Sequence, residues 1–297
     1  MSHRLGLLKL ASTYTYLNPE RVSDFAGRLV GSRPVWPAFG RPVGGRPIVD
    51  RVSTPFGIDF GGTGIKGAPV DLVAGDLAEE RVRITTPKPA TPEAVASVFR
   101  ELLDQFPTST GAVGVTVPGV VRHGVVHTAA NVDQSWIGVD ADRLFSGVIG
   151  RDVHVVNDAD AAGLAEVRYG AAKGRSGLVV VTTLGTGIGS ALVYDGVLVP
   201  NAELGHLEIE GHVAERRAAN SARERDGLDW AGWAARLNTY YRTLERLFSP
   251  DLFVVGGGVS KHSAEFLPLL DLSTEIVPAT LLNRAGMVGA AIYATEA

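Results

Sequence analysis

The run HVVNDADAAGLAE, His154 to Glu166, places Asn157 and Asp158 where an apolar strand gives way to a small-residue helix. A carboxylate at the carboxyl end of a strand can take a proton from an alcohol, which is the task of the base in phosphoryl transfer. Asp158 is equally suited to be the N-cap of the helix expected from about Ala159. Asn157 beside it offers a donor and an acceptor to a neighbouring hydroxyl. Asp59 closes the strand-like FGIDF just before a glycine turn. A carboxylate there either stabilises the turn or holds Mg²⁺ through waters against phosphates. Glu203 and His206, three apart in NAELGHLEIEGH, have the spacing to grip adjacent hydroxyls of a sugar.

Phosphates need donors, and glycine turns supply them, because the backbone can take positive φ and turn several N–H groups toward an anion. The tetrapeptide GTGI occurs twice, at 62–65 and 185–188, each time between apolar strands. That matched setting suggests two copies of one strand-turn-strand unit. Gly61, Gly62, Gly64, Gly185 and Gly187 are the candidate phosphate-lining glycines, with Thr63, Thr183 and Thr186 as hydroxyl donors and Lys66 as a full positive charge. A third cluster, Gly256, Gly257 and Gly258 in VVGGGVS, leads from a strand toward a helix and could admit a nucleotide or further phosphate. GTGIKG also satisfies G-x-G-x-x-G, but the strand-like APVDLV follows it instead of a helix, so the dinucleotide reading is dropped.

The elements that must position these groups follow from periodicity. FGIDF, APVDLV and RVRITT read as strands, PEAVASVFRELLDQF as an amphipathic helix, GAVGVTV as a buried strand, and 140–148 as a helix before HVVN. LVVVTTL, SALVYDG and VLVP repeat the strand pattern. The end reads as helical, with DWAGWAARLNTYYRTLERLF and AEFLPLLDL flanking the strand LFVVGGG. The expected class is α/β with duplicated strand-rich lobes, spanning 56–160 and 161–297. Residues 1–55 hold eight Lys/Arg against three Asp/Glu and a Pro/Gly-rich run, SRPVWPAFGRPVGGRP, and read as an appended basic extension: a transit peptide, a flexible tail or the product of an early start codon.

The chain has 297 residues, 45% hydrophobic, with a net charge of -4 and no cysteine. That supports a sizeable core, excludes disulfides and thiolate chemistry, and gives no general nucleic-acid surface. No apolar run reaches membrane-spanning length, so a cytoplasmic protein is expected.

Taken together, these motifs resemble the ROK (repressor, ORF, kinase) branch of the actin-like/hexokinase superfamily, and within it the bacterial polyphosphate glucokinases and polyphosphate/ATP glucomannokinases. The likeness runs from about Phe56 to Ala291. GIDFGGTGIKGAPVDL resembles the first phosphate motif, TPKPATPEAVA the segment after it, and TAANVDQSWIG a sugar-site loop. NDADAAGLAEVRYGA resembles the catalytic motif, LGTGIGSAL the second phosphate motif, ELGHLEI the sugar-binding loop and SPDLFVVGGGVS the nucleotide-site strand and turn. The resemblance implies an actin-like two-lobed fold and transfer of a phosphoryl group from polyphosphate, ATP or both to the 6-hydroxyl of glucose. It implies Asp158 as base, Asn131, Asn157, Glu203 and His206 as glucose ligands, and Asp59 as organiser of Mg²⁺. Gly61 to Gly64, Lys66 and Gly185 to Gly187 would line the phosphate path. Many members carry a zinc-binding His/Cys cluster that is missing from this sequence, so no structural zinc is expected, and Glu215 is the candidate for the sugar-binding glutamate displaced with it.

An ATP-only hexose or N-acetylsugar kinase is the alternative of the same class, and mannose stays open as an acceptor. A sugar-responsive repressor would need a helix-turn-helix ahead of the kinase-like region, which the Pro/Gly run does not leave room for. A polyanionic donor needs positive charge along its path, for which Lys66, Arg122, Lys173 and Arg175 are the candidates. Trp230, Trp233, Tyr240 and Tyr241 suit either a homodimer interface or the core.

Overall fold

The computed structural model describes residues 53–129 and 132–297; the expectations for the extension before Ser53 and for Asn131 lie outside the described residues. The chain opens with β1 (Phe56–Gly61) and β2 (Gly64–Asp71), an antiparallel hairpin turned by Gly62 and Thr63, followed by β3 (Asp76–Leu77) and β4 (Val82–Ile84). Helix α1 (Pro92–Asp104) starts where the sequence says it should. Thr91 caps it, Pro92 supplies the fixed φ of a first turn, and Val95, Ala96, Phe99, Leu102 and Leu103 fall on one buried face. Burial of each large side chain on that face is worth roughly 1.5–3 kcal/mol.

Strand β5 (Val113–Val117), the small hairpin β6 (Val121–Arg122) and β7 (Val125–Val126), and α2 (Ala141–Ile149) lead to β8 (Val153–Asn157) and α3 (Asp158–Arg168). Asp140 caps α2 and Gly150, at φ 74°, ends it in the left-handed conformation. The second half repeats the plan with β9 (Leu178–Leu184), β10 (Ile188–Tyr194) and β11 (Val197–Val199). It continues through the short β12 (Glu208–Ile209), β13 (His212–Val213), α4 (Ala214–Ala218) and α5 (Asn220–Arg225) to α6 (Trp230–Phe248) and β14 (Leu252–Gly256). A short α7 (Ser263–Phe266), β15 (Glu275–Pro278) and α8 (Ala285–Glu296) complete it.

The two main sheets have the same topology. One runs β3-β2-β1-β5-β8 with β4 also on β2, the other β11-β10-β9-β14-β15. In each, a hairpin from the glycine motif is followed by two parallel strands. The duplication expected from two GTGI turns is therefore a duplication of whole sheets. Helices α3 and α8 pack on each other; α3 also covers β9 and β10, while α8 covers β1, β5 and β8. The last helix thus returns to the first sheet.

Close backbone approach makes this packing possible. A Cβ on Gly57 or Gly114 would overlap carbonyls of α8, at Met287 and Ala290, and one on Gly289 of α8 would overlap the Ala161 carbonyl of α3. Glycine is required at these three places by space.

Some expectations change. AEFLPLLDL is no continuous helix: α7 gives way after Phe266 to a 3₁₀ turn at Leu267–Leu269, because Pro268 lacks the N–H that would continue it. Strand β15 was not anticipated, and the terminal helix α8 had no bounds of its own within the end expected to be helical. VVGGGVS leads into a 3₁₀ turn, Gly258–His262, instead of directly into an α-helix. Within α6, Trp233, Tyr240 and Tyr241 are buried in the chain's own core, while Trp230 stacks on Phe266 and lies under the Arg223 guanidinium.

Candidate active site

Strands β1, β5 and β8 run parallel, in a register that sets Asp59 opposite Thr116 and Thr116 opposite Val156. Their carboxyl ends, with those of β9 and β14, open onto one cleft of about 1450 Å³. Ligands collect at such strand ends because the chain turns away there and leaves a crevice. Asp59, Gly61, Gly62, Asn157, Asp158, Thr183, Gly185, Thr186, Gly187, Glu203, His206, Glu215 and Gly257 all line it. An adjoining chamber of about 740 Å³ shares Asp59, Asp158, Thr183 and Gly257 and adds Lys66 and Gly256. Thr63, Gly64 and Gly258 line neither space: Thr63 and Gly64 lie at the first hairpin tip, and Gly258 begins the 3₁₀ turn.

The cap of α3 is Asn157, not Asp158. Asn157 Oδ1 accepts from Ala159 N (2.8 Å) and Asp160 N (3.1 Å), and its Nδ2 donates to Gly119 O (3.0 Å). One amide hydrogen is left for a ligand. Asp158 is the first helical residue, and one oxygen accepts from Ala159 N at 2.9 Å. Relieved of capping, it faces the cleft. Dense protein around it, the nearby Asp59 and, more weakly, Glu203 push its pKa up to about 6. Water in the open cleft reaches and screens this carboxylate, so closure over a substrate would let the full push be felt.

That value fixes the sign of a pH effect. Below its pKa the carboxyl carries its own proton and cannot accept another. For a base in this position kcat, which reports the closed complex, should fall about tenfold per pH unit below about 6 and level off above it. The break in kcat/KM, set by the screened open state, should lie lower. A kcat profile flat to pH 5 would contradict the assignment.

Asp59 Oδ2 accepts from Lys66 Nζ at 2.9 Å, and its Oδ1 accepts from the Thr116 hydroxyl at 3.3 Å. Lys66 is the one permanent cation among the described residues lining the two spaces. Across the cleft, His206 lies between Glu203 (3.6 Å) and Glu215 (3.8 Å). Burial raises the Glu203 pKa, His206 lowers it and Glu215 raises it. Glu215 Oε2 also accepts from Ile188 N at 3.2 Å, which ties this cluster to the end of the second glycine turn.

The loop carrying Glu203 is held from two sides. Ser190 Oγ donates to Ala202 O and accepts from Leu204 N. Asn201 bonds both backbone groups of Val121, each at 2.8 Å, while its own N–H donates to Asp160 Oδ2 at 2.7 Å. Asp160 is 1% exposed, its Oδ1 has no partner, and burial pushes its pKa up to about 7. Sequence reasoning passed over Asp160, Ser190 and Asn201. The second acid of NDAD was visible, but its partner lies 41 residues on.

Of the other candidate cations, Arg175 is bridged to Glu275 (2.6 Å), Lys173 follows the far end of α3, and Arg122 is exposed on β6; none lines the cleft or its adjoining chamber. Among the described residues no group of three or more His, Asp or Glu is arranged to hold a metal.

The chain matches the ROK family model over residues 55–227. It is 52% identical over 238 residues to a polyphosphate glucokinase of Mycobacterium tuberculosis (strain CDC 1551 / Oshkosh), covering 80% of this chain and 89% of that protein. It is 49% identical over 241 residues to a polyphosphate glucokinase of Mycobacterium leprae, covering 81% and 74%. Among solved structures, it resembles the inorganic polyphosphate/ATP-glucomannokinase of Arthrobacter sp. strain KM with a TM-score of 0.78 and 56% identity, over 82% of this chain and 99% of that one.

Proposed function

The chain belongs to the ROK family, and from that premise we propose that it is a glucose kinase that transfers a phosphoryl group from inorganic polyphosphate, and from ATP as a second donor, to the 6-hydroxyl of glucose. The observation that carries the proposal is the placing of Asp158 at a strand end between two glycine turns and the Glu203/His206/Glu215 cluster. The printed activities of relatives at about half identity support the same donor and acceptor.

In this mechanism Glu203, His206 and Glu215 take sugar hydroxyls, joined by the free amide hydrogen of Asn157 and by Asn131. Asp158 accepts the 6-hydroxyl proton as that oxygen attacks the terminal phosphorus. Backbone N–H groups of Gly61, Gly62, Thr186 and Gly187, with the hydroxyls of Thr183 and Thr186 and the ammonium of Lys66, hold the donor, and Thr63, Gly64 and Gly185 shape the two turns around it. Gly256 and Gly257 border the space for a nucleotide, and Gly258 begins the turn behind it. Five acids, Asp59, Asp158, Glu166, Glu203 and Glu215, against one lysine in the cleft and its adjoining chamber repel a polyanion, a setting that fits Mg²⁺ brought in with the phosphates and held by Asp59 through water. When bound, Mg²⁺ would neutralise developing charge on the phosphoryl oxygens.

We also propose hinged closure of two lobes, one built on the first sheet (56–160) together with the returning helix α8, the other on the second sheet (from 161 to the start of α8), which would exclude water, itself a competing acceptor. A homodimer and a cytoplasmic location are part of the proposal; the cysteine-free composition suits a reducing compartment, and sedimentation tests the dimer. No helix among the described residues is long and apolar enough to cross a membrane.

An acceptor panel separates this reading from the N-acetylsugar alternative. With purified protein, Mg²⁺ and both donors present, glucose should give glucose 6-phosphate, mannose a slower product and N-acetylmannosamine none. Preference for the N-acetylsugar would overturn the acceptor assignment.

A further inference from the structure

A long polyphosphate carries far more negative charge than the cleft can meet with Lys66, whose ammonium is already shared with Asp59. The rest must be met outside, on a surface continuous with the first glycine turn. Register identifies it. On β1 and β2, Asp59 and Lys66 point to the face covered by α8, as do Gly57 and Val70, while Phe56, Phe60 and Ile65 point into the core under α1. Strand β4 pairs with β2 so that Arg83 lies opposite Lys66. Arg83 therefore shares the face of Lys66, and Arg81, just ahead of the strand, reaches the same side, where its guanidinium meets Asn283 beside the start of α8. Val82 and Ile84, the alternate positions, pack into the opposite core, which fixes the parity.

Both arginines reach the loops that frame the donor space. Arg83 Nη2 donates to Thr63 O (3.0 Å) at the tip of the first glycine turn and lies over Gly64. Arg81 Nη1 donates to Asn283 O (3.3 Å), and Asn283 lines the chamber that holds Asp59, Lys66 and Asp158. Each spends a donor on a neutral carbonyl, and among the described residues neither guanidinium pairs with a carboxylate. Both side chains are exposed, so four of five N–H donors and the whole charge stay available on each. This differs from Arg175, Arg242 and Arg284, which are matched by Glu275, Asp271 and Asp76.

Resting on the donor reading above, we propose that Arg83 and Arg81, continuing from Lys66, form a track along the β4 edge that binds the distal phosphates of a polyphosphate chain whose terminal phosphate lies at Asp158. Guanidinium forks suit this task because they bind phosphate oxygens in pairs and keep their charge at any working pH. Distal phosphates exist only in a donor longer than the few phosphates that fill the space at Asp158, so the pair is expected to act on long chains and not on a nucleotide or tripolyphosphate. The track therefore confers a preference for long chains without touching the chemistry.

The test compares long-chain polyphosphate, tripolyphosphate and ATP as donors for the wild type, the Arg81→Ala/Arg83→Ala double variant and the Arg81→Lys/Arg83→Lys pair. The double alanine variant should raise KM for long-chain polyphosphate by roughly tenfold or more, and flatten its dependence on salt. KM for tripolyphosphate and glucose should stay within about twofold, and the lysine pair should recover most of the loss. Unchanged long-chain KM overturns the track, as does a parallel rise with all three donors. Arg81→Gln and Arg83→Gln, tested singly, keep the question answerable if the double variant does not fold. A wild type that uses ATP and no polyphosphate overturns the donor reading, and the track with it.

Discussion

Asp158→Asn is expected to lower kcat by roughly two to four orders of magnitude, the range for a lost general base, while glucose still binds. The substitution conserves shape, and its amide oxygen can still accept from Ala159 N as Oδ1 does. Asn157 continues to cap α3, so the helix does not depend on the carboxylate. Removing a charge that burial, Asp59 and Glu203 already disfavour should leave stability at neutral pH equal or slightly higher. Calorimetric titration with glucose, alongside initial rates, separates the two effects. Near-normal turnover would reduce Asp158 to a first-turn helix residue.

Gly289→Ala should be nearly as damaging, by a different route. Its methyl group would meet the Ala161 carbonyl of α3, a backbone atom that cannot rotate aside. Helix α8 cannot retreat either, because its Met287 and Ala290 carbonyls already rest on Gly57 and Gly114 of the first sheet. Overpacking of this kind costs typically 1–3 kcal/mol, and backbone on both sides puts this case near the top, about 3 kcal/mol. Any relief moves α3, and with it Asp158; a displacement of about 1 Å can cost on the order of a hundredfold in rate. The internal control is Gly147→Ala on α2, where nothing lies within 4 Å of an added Cβ. That change should be neutral or stabilise by about 0.5–1 kcal/mol. Thermal denaturation and kcat of the two variants check both statements, and a Gly289→Ala protein as stable as wild type would contradict the packing argument.

The parts of the molecule legible in the sequence are those encoded within a few residues. Strand periods, the Thr91-Pro92 helix start and the paired GTGI turns are local signals, and because the turns sit in matching strand contexts they carried the duplicated architecture as well. Helix α8 was not legible because AGMVGAAIYATE is small and apolar nearly all round, with no polar face to mark a period. It is buried between elements from both halves, where an amphipathic stripe would be out of place. The candidate site was legible as residue types at the ends of β1 and β8, Asp59 and Asp158, and in the loop after β11, Glu203 and His206, all of which line one cleft. What escaped was division of labour: which member of Asn157-Asp158 caps the helix follows from the geometry of the turn. The partners of Asp160, Arg81 and Arg83 lie 41, 202 and 20 residues away, a separation that only the folded chain removes.

The proposed function joins Asp158 and the Glu203/His206/Glu215 cluster to a polymeric phosphate donor. Its most direct test is formation of glucose 6-phosphate by the purified protein with glucose, Mg²⁺ and polyphosphate freed of nucleotides, beside an identical reaction supplied with ATP alone. Product in the nucleotide-free reaction, abolished by Asp158→Asn, is the expected result. Product with ATP and none with polyphosphate, from a sample shown to be folded, would contradict it.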